Sequence, residues 1–243
     1  PLVLHEQNSV AGLANRVLAR IASQVLVAFP DALPGARWTG NPVREDLLAL
    51  PGPADRFRGR AGALRLLVVG GSLGAQALNE RLPDALAALP EAQRPVVVHQ
   101  SGRGHRDALV ARYAAAGVRA EVLEFVDDMA AQLAAADLVL CRAGAMTVSE
   151  LAAVGVASIL VPYPHAVDDH QTANARFLAD RGAAWLLPQA QADSAGLCAA
   201  LRGLSREQLL AMALKAREAA RPDATREVAD ICESVASTGR NAS

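Results

Sequence analysis

Short apolar runs alternate with helix-spaced segments along this chain, and that alternation admits few folds. Residues 2–4, 25–29, 64–69, 96–98, 120–125, 138–140, 157–161 and 184–187 are short and rich in Val, Leu, Ile and Ala. Strands that are apolar on both faces belong to parallel sheets covered by helices on both sides. Between the runs lie stretches of helical spacing; in 12–22, Leu13, Val17, Leu18 and Ile21 share one face. The pattern predicts an α/β fold built from parallel, doubly wound sheets. Segment 51–63 is rich in Pro, Gly and Arg, lacks apolar periodicity and reads as a linker. Residues 194–236 read as helical, broken at Arg221-Pro222-Asp223, with a frayed tail from Ser237.

In such sheets ligands sit at the carboxyl ends of strands, so the residues that follow the apolar runs carry the functional information. The run 138–140 leads into Cys141-Arg142-Ala143-Gly144-Ala145-Met146-Thr147-Val148-Ser149-Glu150. A strand that turns through glycine into a helix leaves unpaired N–H groups at the helix start, and these, with the positive end of the helix dipole, suit a diphosphate. Thr147 and Ser149 add hydroxyl donors, and Glu150 is placed to grip a ribose diol. The same spacing, Thr147-x-x-Glu150, also fits a capping box that needs no ligand. Gly70-Gly71-Ser72-x-Gly74 is a second strand-to-helix turn; it is neither a Walker loop nor a complete G-x-G-x-x-G. There Ser72 and the glycine amides suit phosphate, though the motif alone is weak. Asp168 and Asp169 read as caps of the helix that follows, while Gln171 offers an amide suited to sugar hydroxyls. His5, at a strand end beside Glu6, reads as a loop-holding residue, and His99 and His105 as buried or surface-satisfied histidines.

Composition excludes several classes. The net charge of −1 and 3% aromatic content give neither the field nor the stacking platforms of a nucleic-acid binder. Three scattered cysteines, Cys141, Cys198 and Cys232, suggest a reducing compartment and neither a disulfide framework nor a zinc site. The histidines lack metal-ligand spacing, so neither metal nor cofactor is expected. No apolar run reaches membrane-spanning length. No Gly-x-Ser-x-Gly elbow supports a hydrolase.

Taken together, the motifs resemble the MurG family of peptidoglycan N-acetylglucosaminyltransferases. The matching pieces are His5-Glu6-Gln7-Asn8-x-x-Ala11-Gly12, Gly40-Asn41-Pro42-Val43-Arg44, Gly70-Gly71-Ser72-x-Gly74-Ala75, Glu124-Phe125-x-Asp127-Asp128-Met129, the 141–150 stretch, Asp169-His170-Gln171 and Pro222-Asp223-Ala224. The resemblance implies a GT-B fold, two Rossmann-like domains with the active site between them. It implies a remnant of the N-terminal acceptor domain over 1–45 and a linker over 46–63. A UDP-GlcNAc-binding domain would follow over 64–221, then a helix and tail over 222–243 returning toward the N-terminal domain. Carried over by position, Glu150 binds the ribose, and Ser72 with the helix start Ala145, Met146, Thr147, Val148 and Ser149 holds the diphosphate. Val126 meets uracil through its backbone, Gln171 reads GlcNAc hydroxyls, and Asn8 and Arg44 line the cleft.

The implied activity is inverting transfer of GlcNAc from UDP-GlcNAc to the muramyl-pentapeptide pyrophosphoryl-undecaprenol acceptor. The implied location is the cytoplasmic face of the bacterial inner membrane, as a peripheral protein. The family's glycine-rich N-terminal loop, ending in a histidine and the usual source of the general base, has no counterpart here, so the base is left unassigned. The chain opens on an apolar strand-like run without methionine, and the expectation is that an N-terminal portion is missing and an apolar edge exposed. Two alternatives stand beside the transferase: a module that binds UDP-GlcNAc without transferring it, and a sugar-nucleotide epimerase of the same fold.

Overall fold

The computed structural model describes residues 1–71 and 75–240. Two parallel sheets organise it. The smaller has the order β1 (Val3–Glu6), β2 (Gln24–Val27), β3 (Arg37–Trp38). The larger comprises β4 (Arg65–Val69), β5 (Val96–Gln100), β6 (Ala120–Leu123), β7 (Leu138–Cys141), β8 (Ala157–Leu160) and β9 (Ala184–Leu186). Its spatial order is β6-β5-β4-β7-β8-β9, with every pairing parallel. Numbered from β4, that is 3-2-1-4-5-6, the doubly wound order whose direction reverses between β4 and β7.

Alternate side chains of each strand feed opposite cores. Leu66, Val68, Val97, Leu138 and Leu140 pack beneath α4 (Gln76–Ala87), α5 (Arg106–Ala115), α9 (Ser194–Leu201) and α10 (Arg206–Glu218). Leu67, Val139, Cys141 and Leu160 pack against α6 (Met129–Ala135), α7 (Ala145–Val154) and α8 (His170–Ala179). Leu140, Val148 and Leu151 are essentially sealed from solvent, each contributing about 1.5–3 kcal/mol by burial. The second core also takes in Phe29, Val43 and Leu47 from around the smaller sheet, and the Phe29 and Phe177 rings meet edge to face at 5.1 Å. The two sheets are therefore joined by shared apolar packing.

Several expectations are corrected. The first helix, α1 (Leu13–Leu18), is shorter than 12–22, and its apolar face is not buried. Leu13 is 70% and Ile21 73% exposed, because nothing described packs over them. Strand β3 was not anticipated; two residues are too few to show a period. Segment 51–63 is no plain tether. Helices α2 (Glu45–Leu48) and α3 (Pro53–Phe57) occupy 45–57, α3 opening with Pro53 where a missing N–H is harmless. Gly155 ends α7 in the left-handed region (φ 68°), where a Cβ would stand 2.7 Å from Pro53 Cγ, so α3 sits tightly on that helix end. The final helix, α11 (Ala224–Arg240), follows the expected break and runs past Ser237. It lies beside β3, with Arg37 bonded to Glu227 at 2.7 Å. Among the described residues no helix is long and apolar enough to cross a membrane.

Candidate functional site

The strand reversal leaves a gap at the carboxyl ends of β4 and β7, and a cavity of about 670 Å³ opens there. Its floor is the Gly70-Gly71 turn after β4 and Gly144 after β7. Ser72 lies outside the described residues. Around the rim stand helix starts. The cap residues or first turns of α4 (Ala75, Gln76), α5 (His105), α7 (Gly144, Thr147) and α8 (Gln171) all line the cavity. Among the described residues none of these four has a side-chain cap. The other helices from α4 to α10 are closed. Asp128 caps α6, Asp193 caps α9, and Ser205 with Gln208 forms a capping box on α10. From α4 to α10 the starts without a side-chain cap are thus the ones that face the cavity, where their dipoles present positive potential to one space; α1, α2 and α3 also lack such caps but do not line it.

At α7 the structure decides between the two readings of the sequence. The cap is Gly144, in extended conformation, and the helix has already begun at Ala145. Thr147 is therefore its third residue and cannot cap it, so the capping-box reading fails. The amides of Ala145, Met146 and Thr147 occupy the open first turn. The Val148 N–H is not among them: it bonds to Gly144 O at 2.9 Å, and the Val148 side chain is wholly buried. Nor does the Ser149 hydroxyl line the cavity; it accepts from Asn41 Nδ2 at 3.0 Å. The open amides are accordingly those of 145–147, a shorter stretch than the expected 145–149.

Arg142 is the cation that the sequence reading left without a role. It lines the cavity between the end of β7 and Gly144, donating to Val161 O (3.1 Å) and Pro162 O (3.3 Å). Its guanidinium lies 5.5 Å from the Tyr163 ring. Burial lowers its pKa from the usual arginine value. An Arg directly after a buried strand and before a glycine turn was the available signal. His105, Tyr163 and His165 line the cavity too.

Gln171 is where it was expected. Its Oε1 accepts the Tyr163 N–H at 2.9 Å, which leaves its NH2 to serve a hydroxyl group. The aspartates before it are not backbone caps. Asp168 and Asp169 both have positive φ (52° and 50°), and Asp169 Oδ1 takes the Thr172 hydroxyl at 2.7 Å. Two consecutive non-glycine residues in this region carry strain.

Glu150 stands one turn beyond Met146 and is not among the residues that line the cavity. Arg44 Nε is 3.8 Å from its Oε1. Burial raises the Glu150 pKa; Arg44 opposes the rise and Asp46 adds to it. Met146 and Phe125 are exposed nearby in sequence, whereas the Val126 side chain is buried, so only its backbone can meet a ligand. Asn8 Oδ1 is held by Asn174 Nδ2 at 3.3 Å. His5 Nε2 pairs with Gly40 O at 2.9 Å, so it braces a loop. Cys141 is buried and its thiol pKa is pushed up to about 12, chiefly by burial, which disarms it as a nucleophile. No cluster of metal-ligating side chains occurs among the described residues.

Comparison with known proteins follows the same lines. The family described as "Glycosyltransferase family 28 C-terminal domain" matches residues 65–233. The UDP-N-acetylglucosamine–N-acetylmuramyl-(pentapeptide) pyrophosphoryl-undecaprenol N-acetylglucosamine transferase of Ralstonia nicotianae is 63% identical over 239 residues, 97% of this chain and 66% of that protein. The crystal structure of Acinetobacter baumannii MurG superposes with a TM-score of 0.89 at 44% identity, covering 96% of this chain and 67% of the other. The calicheamicin glycosyltransferase CalG4, at 20% identity and a TM-score of 0.58, shares the fold. The chain spans about two thirds of the length of the curated relatives it matches.

Proposed function

The chain belongs to glycosyltransferase family 28 and has the GT-B architecture, and from that premise we propose that its cavity is the donor site of an inverting N-acetylglucosaminyltransferase. The donor is UDP-GlcNAc. The acceptor is the lipid-linked muramyl-pentapeptide pyrophosphate named in its relatives, met at the cytoplasmic face of the bacterial inner membrane. The observation that carries this reading is the convergence of four uncapped helix starts and Arg142 on one cavity at the strand reversal.

The chemistry follows from that arrangement. In an inverting transfer the acceptor hydroxyl attacks the anomeric carbon of GlcNAc as the bond from that carbon to the diphosphate breaks. The hydroxyl proton passes to a base, and negative charge grows on the departing UDP. Donors aimed at that growing charge stabilise the transition state more than the ground state. In this chain they are the amides of 145–147, those of the Gly70-Gly71 turn and the Arg142 guanidinium. Ser72, next in sequence, joins the same group by its match to the family motif. Gln171 then reads the sugar through its NH2. Glu150 takes the ribose hydroxyls, Val126 offers its backbone to uracil, and Asn8 and Arg44 face the cleft from the smaller sheet and the seam.

The test is calorimetric. UDP-GlcNAc binds the unaltered chain, and Glu150→Ala weakens binding roughly tenfold or more, the value of at least one hydrogen bond to a charged group. Equal affinity for both proteins removes Glu150 from the ribose. The pH dependence adds a sign. Ribose hydroxyls donate to the ionised carboxylate, and burial holds this carboxyl above its ordinary value of 4.5. Affinity is therefore full above the raised pKa and falls as pH drops through it, earlier than for an ordinary glutamate; Glu150→Gln flattens that limb. Turnover of a lipid-linked acceptor separates transfer from binding alone.

A further inference from the structure

The seam between the two sheets holds a buried amide whose full hydrogen-bonding capacity is engaged across it. Asn174 lies on α8, three residues after Gln171, with no exposed surface. Its Oδ1 accepts from the N–H of Ser9 (2.9 Å) and from the Ser9 hydroxyl (2.8 Å). Its Nδ2 donates to Asn8 Oδ1 (3.3 Å) and to Ala143 O (3.2 Å). A side-chain amide has two donors and two lone pairs, so all four are in use. Three of the four bonds reach the loop that follows β1, and the fourth reaches the turn that opens α7.

The loop has a second anchor within its own sheet. Glu6, buried at the end of β1, accepts from the Asn8 N–H (2.8 Å), the Gly12 N–H (3.4 Å) and the Asn15 amide (2.7 Å). Asn41 adds a parallel link, donating to both Gln7 O (3.1 Å) and Ser149 Oγ (3.0 Å). Residues 7–12 are thus suspended between Glu6 on one side and α7 and α8 on the other. A ligand that engages Gln171 and the amides after Gly144 restrains α8 and the Ala143 turn, the two donor-side attachments of Asn174. Asn41 carries the restraint to Gln7 alone, whereas Asn174 is the side chain that carries it to Asn8 and Ser9.

We propose that Asn174 is a positioning residue that couples occupancy of the cavity to the conformation of loop 7–12, and so to the placement of Asn8. The inference rests on the cavity being the donor site. Coupling of this kind is an energetic link between two places that share one element, and it is measurable from either end.

Amide hydrogen exchange tests it at UDP-GlcNAc concentrations that saturate each protein. In the unaltered chain the ligand slows exchange across residues 7–12 by roughly tenfold, although most of that loop lies off the cavity. In Asn174→Ala the ligand still binds, and the slowing at 7–12 falls below about twofold, within the scatter of such data. Ser9→Ala, at a half-buried position that does not threaten the fold, removes the hydroxyl arm alone and gives an intermediate slowing. It carries the test if Asn174→Ala does not fold, and slowing equal to that of the unaltered chain then overturns the coupling. Undiminished slowing in Asn174→Ala, or none in the unaltered chain while ligand binds, overturns the coupling and leaves the donor site standing. No binding of UDP-GlcNAc by the unaltered chain overturns both.

Discussion

The two edges of the six-stranded sheet treat their polar groups in opposite ways. At the amino edge they close on one another. Asp137, fully buried before β7, takes the Arg65 N–H at 2.9 Å, Arg60 at 2.6 Å and Arg206 at 3.3 Å. Arg60 also donates to Ala134 O and Ala136 O, and Arg56 to Leu133 O, Val154 O and Gly155 O. These are the last carbonyls of α6 and α7, where a guanidinium both fills orphan acceptors and meets the negative end of the dipole. At the carboxyl edge the corresponding N–H groups face a cavity. Helix α7 shows both conditions in ten residues: an open start at Gly144 and a finish sealed by Gly155, Pro53 and Arg56. Groups satisfied inside the chain supply cohesion, and groups left for a ligand supply affinity at some expense of cohesion.

The comparison breaks first, if it breaks, at Asp137. Asp137→Ala leaves Arg60 and Arg206 part-buried with no carboxylate and the Arg65 N–H without its acceptor. The expected cost is about 3–5 kcal/mol of unfolding free energy by urea titration, with UDP-GlcNAc affinity of the folded protein changed less than about threefold. A cost under about 1 kcal/mol, the range of an ordinary surface ion pair, makes the amino edge no more cohesive than any surface. Arg142→Leu is the counterpart across the sheet. Loss of a charged donor to a diphosphate lowers affinity for UDP by about 1.5–3 kcal/mol. Stability moves less than binding, since the leucine keeps the apolar stem and forfeits the bonds to Val161 O and Pro162 O and the contact of the guanidinium with the Tyr163 ring. A variant that loses stability and keeps UDP binding makes Arg142 a brace of the 161–162 backbone.

The same contrast governs what was legible in the sequence. The larger sheet was readable because its strands are apolar on both faces, and strands buried on both faces leave no other pattern. The glycines after β4 and β7 marked the cavity floor, and Gln171 marked a further part of its lining. Failures came where tertiary contacts override local signals. Thr147-x-x-Glu150 has capping-box spacing, but Gly144 starts the helix three residues earlier. Ser149 has a donor hydroxyl, but it lies off the cavity, where its oxygen accepts from Asn41, more than one hundred positions away. Segment 51–63 lacks a period because its ordering comes from Arg56 and Arg60 reaching helix ends, a contact that leaves no periodic trace. Strand β3 is too short to show alternation, and the apolar spacing over 12–22 overran α1, which ends at Leu18 with that face exposed.

The smallest expected effect sharpens the comparison most, because it concerns one neutral hydrogen bond. Gln171 Oε1 is fixed by the Tyr163 N–H, so the orientation of its amide is set before any ligand arrives. If the remaining NH2 reads a sugar hydroxyl, Gln171→Ala weakens UDP-GlcNAc by about 1 kcal/mol, close to fivefold, and leaves UDP unchanged. Parallel titrations with the two ligands measure the difference directly, and errors in protein concentration cancel in the ratio. An equal loss for both ligands places Gln171 among the groups that hold the 163–171 loop over the cavity. The sugar would then have to be read from that loop's backbone or from the smaller sheet.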